Sequence, residues 1–117
     1  MSHRNWRFRI QDILDAVQVI SGYTKNMTFE QFQKDQKTVD AVLQQLMIIG
    51  EAASHVPDEA VVKAPDIDWK RIRGIRNVIV HEYFRVSKQI VWNTVEEDLP
   101  FIIKPLKKLL SPEDQDS

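Results

Sequence analysis

Cysteine is absent from the chain, which excludes disulfides, thiolate metal sites and cysteine nucleophiles and is compatible with a reducing cytosol. Charge of one sign is not in excess either. Sixteen Lys and Arg stand against 17 Asp and Glu, for a formal net charge of -1. The molecule is therefore no polycation that would coat nucleic acid indiscriminately, and any nucleic-acid contact must be local. Long hydrophobic runs are also missing: the apolar stretches are short and broken by charge, and the segment from Met1 to Arg7 is not followed by a signal-peptide core. These absences lead us to expect a soluble, cytoplasmic protein with no membrane span. No stretch keeps the period-two alternation of a strand between hairpin turns, and neither internal repeats nor long low-complexity tracts occur. At 117 residues the chain has room for one core and one active site.

Helical periodicity fills the space those absences leave. Trp6, Ile10, Ile13, Leu14, Val17 and Ile20 recur at three- and four-residue steps, which predicts an amphipathic helix ending near Gly22. Thr28 and Gln31 have capping-box spacing and open a short helical turn through about Lys34. Val39, Val42, Leu43, Leu46, Ile49, Gly50 and Ala53 form the longest apolar stripe, widened by Met47 and Ile48, as expected of a central helix. Gly50 costs about 1 kcal/mol relative to Ala inside a helix, so a neighbouring helix is expected to need the missing side chain. Pro57 can start another short helix, and Asp68 is placed to cap a helix beginning at Trp69. From about Ser87, the stripe Ile90, Val91, Val95, Leu99, Ile102, Ile103, Leu106 and Leu110 reads as one long helix kinked at Pro100 and Pro105. The expectation is an all-α, antiparallel bundle of four main helices plus short turns, one domain over residues 1–110, with a disordered acidic tail over 111–117.

The helix beginning at Trp69 ends in Arg76-Asn-Val-Ile-Val-His81-Glu-Tyr83, which combines a permanent cation, an imidazole and a phenol. Such groups suit the handling of phosphate esters, and RNA is the substrate they suggest. On a wheel of roughly 100° per residue Ile72, Ile75, Ile79 and Tyr83 share the apolar side, with Arg76 abutting it, whereas Lys70, Arg73, Asn77 and His81 lie opposite. Arg76 and His81 are about 140° apart on a straight helix, so either the helix ends early and the ring folds back or two copies of the helix meet at a homodimer interface. A two-fold dimer would supply one histidine to take a proton and another to donate one. Lys70, Arg71, Arg73, Arg76, Arg85 and Lys88 against Glu82 alone predict a local anion-attracting patch, with Lys70, Arg73 and Arg85 as RNA contacts. Each residue has a structural alternative. His81 and Asn77 could satisfy neighbouring backbone, Tyr83 could be core, and Arg76 could merely pair with Glu51 on the central helix. His3 and His55 lack comparable company. No acidic cluster suggests a metal, and no cofactor is expected.

The blocks Ile49-Gly-Glu-Ala-Ala53, Asp66-Ile-Asp-Trp69, Gly74 through Phe84, Val91-Trp92 and Glu97-Asp-Leu-Pro100 resemble the HepT-like toxin family of the HEPN superfamily over nearly the whole chain. The resemblance implies a helical bundle, a homodimer and metal-independent endoribonuclease activity centred on an Arg-x4-6-His motif, matched here by Arg76 and His81. Asn77 matches the motif's usual polar position. Tyr83 matches the tyrosine to which a minimal nucleotidyltransferase antitoxin, the partner in a type VII toxin–antitoxin pair, transfers AMP. Two departures are Ile75, where Met is common, and Glu82, where a small residue is frequent. The competing function is a non-catalytic subunit that presents Tyr83 or a nucleotide pocket to such a nucleotidyltransferase.

Overall fold

The computed structural model describes residues 5–111. The acidic tail expected over 111–117 lies, apart from Ser111, outside the described residues, as does His3. The helices are α1 (Asn5–Thr24), α2 (Phe29–Lys34), α3 (Gln36–Ser54), α4 (Asp58–Val61), α5 (Trp69–Glu82), α6 (Lys88–Asn93) and α7 (Leu99–Leu109), with a 3₁₀ turn over Tyr83–Arg85 and a π-helical turn over Thr94–Asp98. No strand occurs among the described residues. The fold is an all-α antiparallel bundle whose four long members are α1, α3, α5 and the run from α6 through α7.

Local chemistry sets the helix starts. The Thr28 hydroxyl accepts from Gln31 N while the Gln31 side chain accepts from Thr28 N, the reciprocal capping box that opens α2. Asp35 caps α3 through Thr38 N, Asp68 caps α5 through Arg71 N, and Ser87 caps α6 through Ile90 N. Two boundaries differ from expectation. The first helix runs through Gly22 to Thr24, and the left-handed residue after it is Asn26, at φ 64°. The last helical run changes hydrogen-bond pattern before Pro100: Leu99 N donates to Thr94 O, five residues back, so the π turn absorbs the disruption next to the proline. Pro105 sits inside α7, which continues past it to Leu109.

Helix α3 is central, packing against α1 on one side and α5 on another, while α1 also meets α7. Ile10, Ile13 and Ile20 of α1, Val42 and Ile49 of α3, and Leu106 and Leu109 of α7 are almost fully buried in one connected core. Ile48, expected to widen the α3 stripe into the core, is instead exposed. Helices α3 and α5 approach closely at Gly50. A β-carbon there would stand 2.9 Å from Arg76 N and 3.3 Å from Ile72 O, so the missing side chain lets α5 settle on α3 at the residue that carries the guanidinium. No helix among the described residues is long and apolar enough to cross a membrane.

Candidate active site

Ile72 and Ile79 bury one side of α5 against α3, and this anchorage decides where the polar side chains go. Arg76 leaves the edge of that interface and is half-exposed. Its Nε lies 3.1 Å from Glu51 Oε1 of α3, an ion pair across the helix crossing. The pairing weighed as the bland reading of Arg76 is therefore formed, yet it leaves the side chain open to solvent. The other carboxylate oxygen, Glu51 Oε2, lies 2.9 Å from Nε2 of His55, the residue that caps the C-terminal end of α3. The hydrogen bond from His55 holds the Glu51 carboxyl below its usual range against the opposing effect of partial burial, and the charges of Arg76, His55 and Arg9 add to the lowering. His55 thus does have company, contrary to the sequence reading. The i,i+4 spacing of Glu51 and His55 on one helix was the signal that could have revealed it.

Asn77 and His81 are exposed, and neither side chain makes a hydrogen bond among the described residues. The helix stays regular through His81 and ends only at Glu82, so the chain does not fold back to bring the imidazole to Arg76. Within one protomer the two groups stay roughly 140° apart around the helix, with Val80 and Asn77 in the sector between them. Val80 is exposed, as is Val78 on the far side of His81, and Phe84 just beyond is 98% exposed.

Tyr83 is partly buried beneath this end of α5, and its hydroxyl donates to Asp40 Oδ1 of α3 at 3.0 Å. Burial raises the phenol above its ordinary range, and the hydrogen bond to Asp40 and that carboxylate's charge raise it further. Because the folded value is raised, the stability this neutral phenol contributes is complete below the ordinary phenol range and is lost as pH rises through the folded value. Replacing Asp40 by Asn removes the charge while keeping an acceptor. A phenolate absorbance titration in a Tyr23→Phe background should then show Tyr83 ionising at lower pH than with Asp40 present. An unchanged titration would mean that Asp40 does not hold the hydroxyl.

The expected basic patch is partly engaged by groups from other elements, with two of its six cations paired to acids and two more held by backbone carbonyls. Arg71 Nη2 pairs with Asp98 Oδ2 at 2.7 Å. Arg73 is not available as an RNA contact in the way its position suggested. Its Nε donates to Ala53 O and its Nη2 to Val56 O, at 3.1 and 2.8 Å, capping the C-terminal end of α3 from a part-buried position. Lys88 donates to Gln33 O. Lys70 remains exposed without a hydrogen bond or ion pair, and Arg85 is exposed with only a long 3.8 Å approach to Glu82. A count of charges along α5 could not show this, because the compensating acids Asp98 and Glu51 come from other helices. Among the described residues no group of three or more His, Cys, Asp or Glu side chains could hold a metal ion.

Beside these polar groups, a groove of about 560 Å³ runs between α5 and α6, lined by Lys70, Gly74, Ile75, Val78, Val86 and Ile90 among others. Val78 and Ile90, on opposite sides of it, are 56% and 62% exposed.

Comparison with known proteins agrees with this architecture. The chain is 35% identical over 108 residues to a Thermococcus cleftensis protein named "Probable ribonuclease HepT", an alignment spanning 92% of this chain and 96% of that one. Two proteins named "Putative RNase" are similarly related. One, from Methanocaldococcus jannaschii, is 34% identical over 94% of this chain and 91% of its own length. The other, from Caldanaerobacter subterraneus subsp. tengcongensis, is 35% identical over 89% of this chain and 93% of its own. No solved structure matches the chain. The family model described as "Ribonuclease HepT-like" matches residues 13–109, which hold α1 from Ile13 onward and every later helix through the end of α7. With an all-α, HEPN-like bundle that presents an Arg-Asn-x-x-x-His surface on α5, the chain belongs to the HepT-like ribonuclease family.

Proposed function

We propose that this ribonuclease-family chain is a metal-independent endoribonuclease that cleaves RNA with Arg76, Asn77 and His81 at a homodimer interface. The observation that carries the reading is the exposure of all three side chains at one end of a helix whose opposite side is locked to the core. His81 acts as general base toward a ribose 2′-hydroxyl or as general acid toward the departing 5′-oxygen, and its two-fold mate takes the complementary role. Arg76 stabilises the charge that builds on the phosphorus oxygens, and Asn77 orients the phosphate or the imidazole. Lys70 and Arg85 remain as cations for the flanking backbone. The regular helix supports a two-copy site, because one protomer keeps guanidinium and imidazole on different faces. The exposed Val78 and Ile90 along the α5–α6 groove supply apolar surface that a second protomer can cover.

Regulation completes the proposal. The chain is the toxin of a toxin–antitoxin pair, and a minimal nucleotidyltransferase antitoxin silences it by transferring AMP to Tyr83. An adenylate there adds negative charge and bulk beside the cationic cleft, which opposes phosphate binding. The test is cleavage of a labelled single-stranded RNA in excess EDTA by the purified protein. The expected products carry 2′,3′-cyclic phosphate ends. Activity that requires added divalent metal, or ends bearing a 3′-hydroxyl, would overturn the mechanism.

A further inference from the structure

We propose that Glu51 and His55 are positioning residues for Arg76, acting in series from α3 to hold its guanidinium ready for a phosphate. The inference rests on the reading of Arg76 as the phosphate-contacting group. Arg76 is a long, half-exposed side chain that would otherwise sample many rotamers before meeting substrate. The Glu51 carboxylate forms an ion pair with it, Oε1 lying 3.1 Å from Nε. The terminal Nη1 and Nη2 atoms keep no hydrogen bond among the described residues, so the edge that forms a two-pronged contact with phosphate stays open. Glu51 is half-exposed as well, and a carboxylate gripped at one oxygen could swing. His55 Nε2, 2.9 Å from Oε2, supplies the second point of attachment. Arg76 from α5, His55 from the C-cap of α3 and Arg9 from α1 are the charged and titratable groups that act on this carboxylate. The root of the arrangement is equally fixed, because Gly50, next to Glu51, lets α3 approach the Arg76 backbone.

Cleavage kinetics on a mixed-sequence single-stranded RNA, together with the NMR signal of the Arg76 Nε–H group, test the chain of contacts. Glu51→Ala should lower kcat by about 10- to 100-fold with a smaller change in KM, the signature of a misplaced transition-state contact. His55→Ala should lower kcat less, and His55→Gln, which keeps a donor, should recover most of the loss. With Arg76 replaced by Lys, Glu51→Ala should add little further, since the two residues act as a unit. Glu51→Gln and His55→Ala should each broaden the Arg76 Nε–H signal or speed its exchange with water. If Glu51→Gln instead raises activity, the carboxylate is masking Arg76 and the proposal is wrong. An Nε–H signal indifferent to both substitutions also overturns it, whether or not the protein cleaves the RNA. By contrast, an Arg76→Ala variant that cleaves normally would refute the reading of the active site, while the NMR result would still decide the positioning claim.

Discussion

Replacing His81 by Ala is expected to reduce RNA cleavage by roughly 10²- to 10⁴-fold, the usual contribution of a positioned general acid or base. In the proposed homodimer both imidazoles are lost at once, so the upper end of that range is the better expectation. The fold should not notice. His81 is exposed and makes no hydrogen bond among the described residues, so a surface change of this kind falls within about 0.5 kcal/mol of wild-type stability. The substitution also separates the nuclease from the accessory-subunit reading. A nuclease loses cleavage, and toxicity when expressed, yet still associates with a nucleotidyltransferase through the rest of its surface. An accessory subunit has no cleavage to lose and behaves as before in every assay. Denaturant unfolding and RNA cleavage on the same preparation decide the matter, and normal cleavage by the alanine variant would remove His81 from the mechanism.

The parts of this molecule legible in its sequence are those whose cause is local. Thr28 with Gln31, and Asp68 with the first turn of α5, declare helix starts because a cap is satisfied within three residues. The placement of Arg76, Asn77 and His81 on one helix is equally readable from the apolar spacing around them. Their partners are not. Tyr83 finds Asp40 across 43 residues, and Arg73 finds Ala53 across 20, and neither choice is implied by any short-range pattern. The same limit explains why a basic run along α5 suggests a stronger field than the folded protein presents. Charge counted along one helix omits the acids that neighbouring helices bring to it. The π turn escaped for another reason: two prolines announce a disturbed helix, but whether it kinks or takes an extra residue into one turn depends on the packing around Thr94 and Val95, both buried.

Gly50 links stability to activity, and its replacement should show both. In an unobstructed helix an alanine is worth about 1 kcal/mol over glycine. Gly22 of α1, which has nothing within 4 Å of an added β-carbon, should show that gain when changed to Ala. At Gly50 the sign reverses. The added carbon would meet Arg76 N at 2.9 Å and Arg76 Cβ at 3.0 Å. The first of these is backbone and the second is fixed directly to it, so neither can rotate away as the far end of a side chain would. Relief requires α5 as a whole to move from α3. Gly50→Val, with a branched side chain, should therefore destabilise the protein by about 2–3 kcal/mol, the upper part of the range found for overpacking a well-filled core. Gly50→Ala should fall between, with its helix propensity offsetting part of the strain. Cleavage should suffer beyond what unfolding explains, because the displaced element carries Arg76 and stretches its contact with Glu51. Under conditions where both proteins are fully folded by circular dichroism, the valine variant should still cleave RNA more slowly than wild type. A Gly50→Val protein as stable as wild type would mean that the α3–α5 contact is looser than the coordinates place it. A destabilised variant with undiminished kcat would mean that the position of Arg76 is set by something other than this helix crossing.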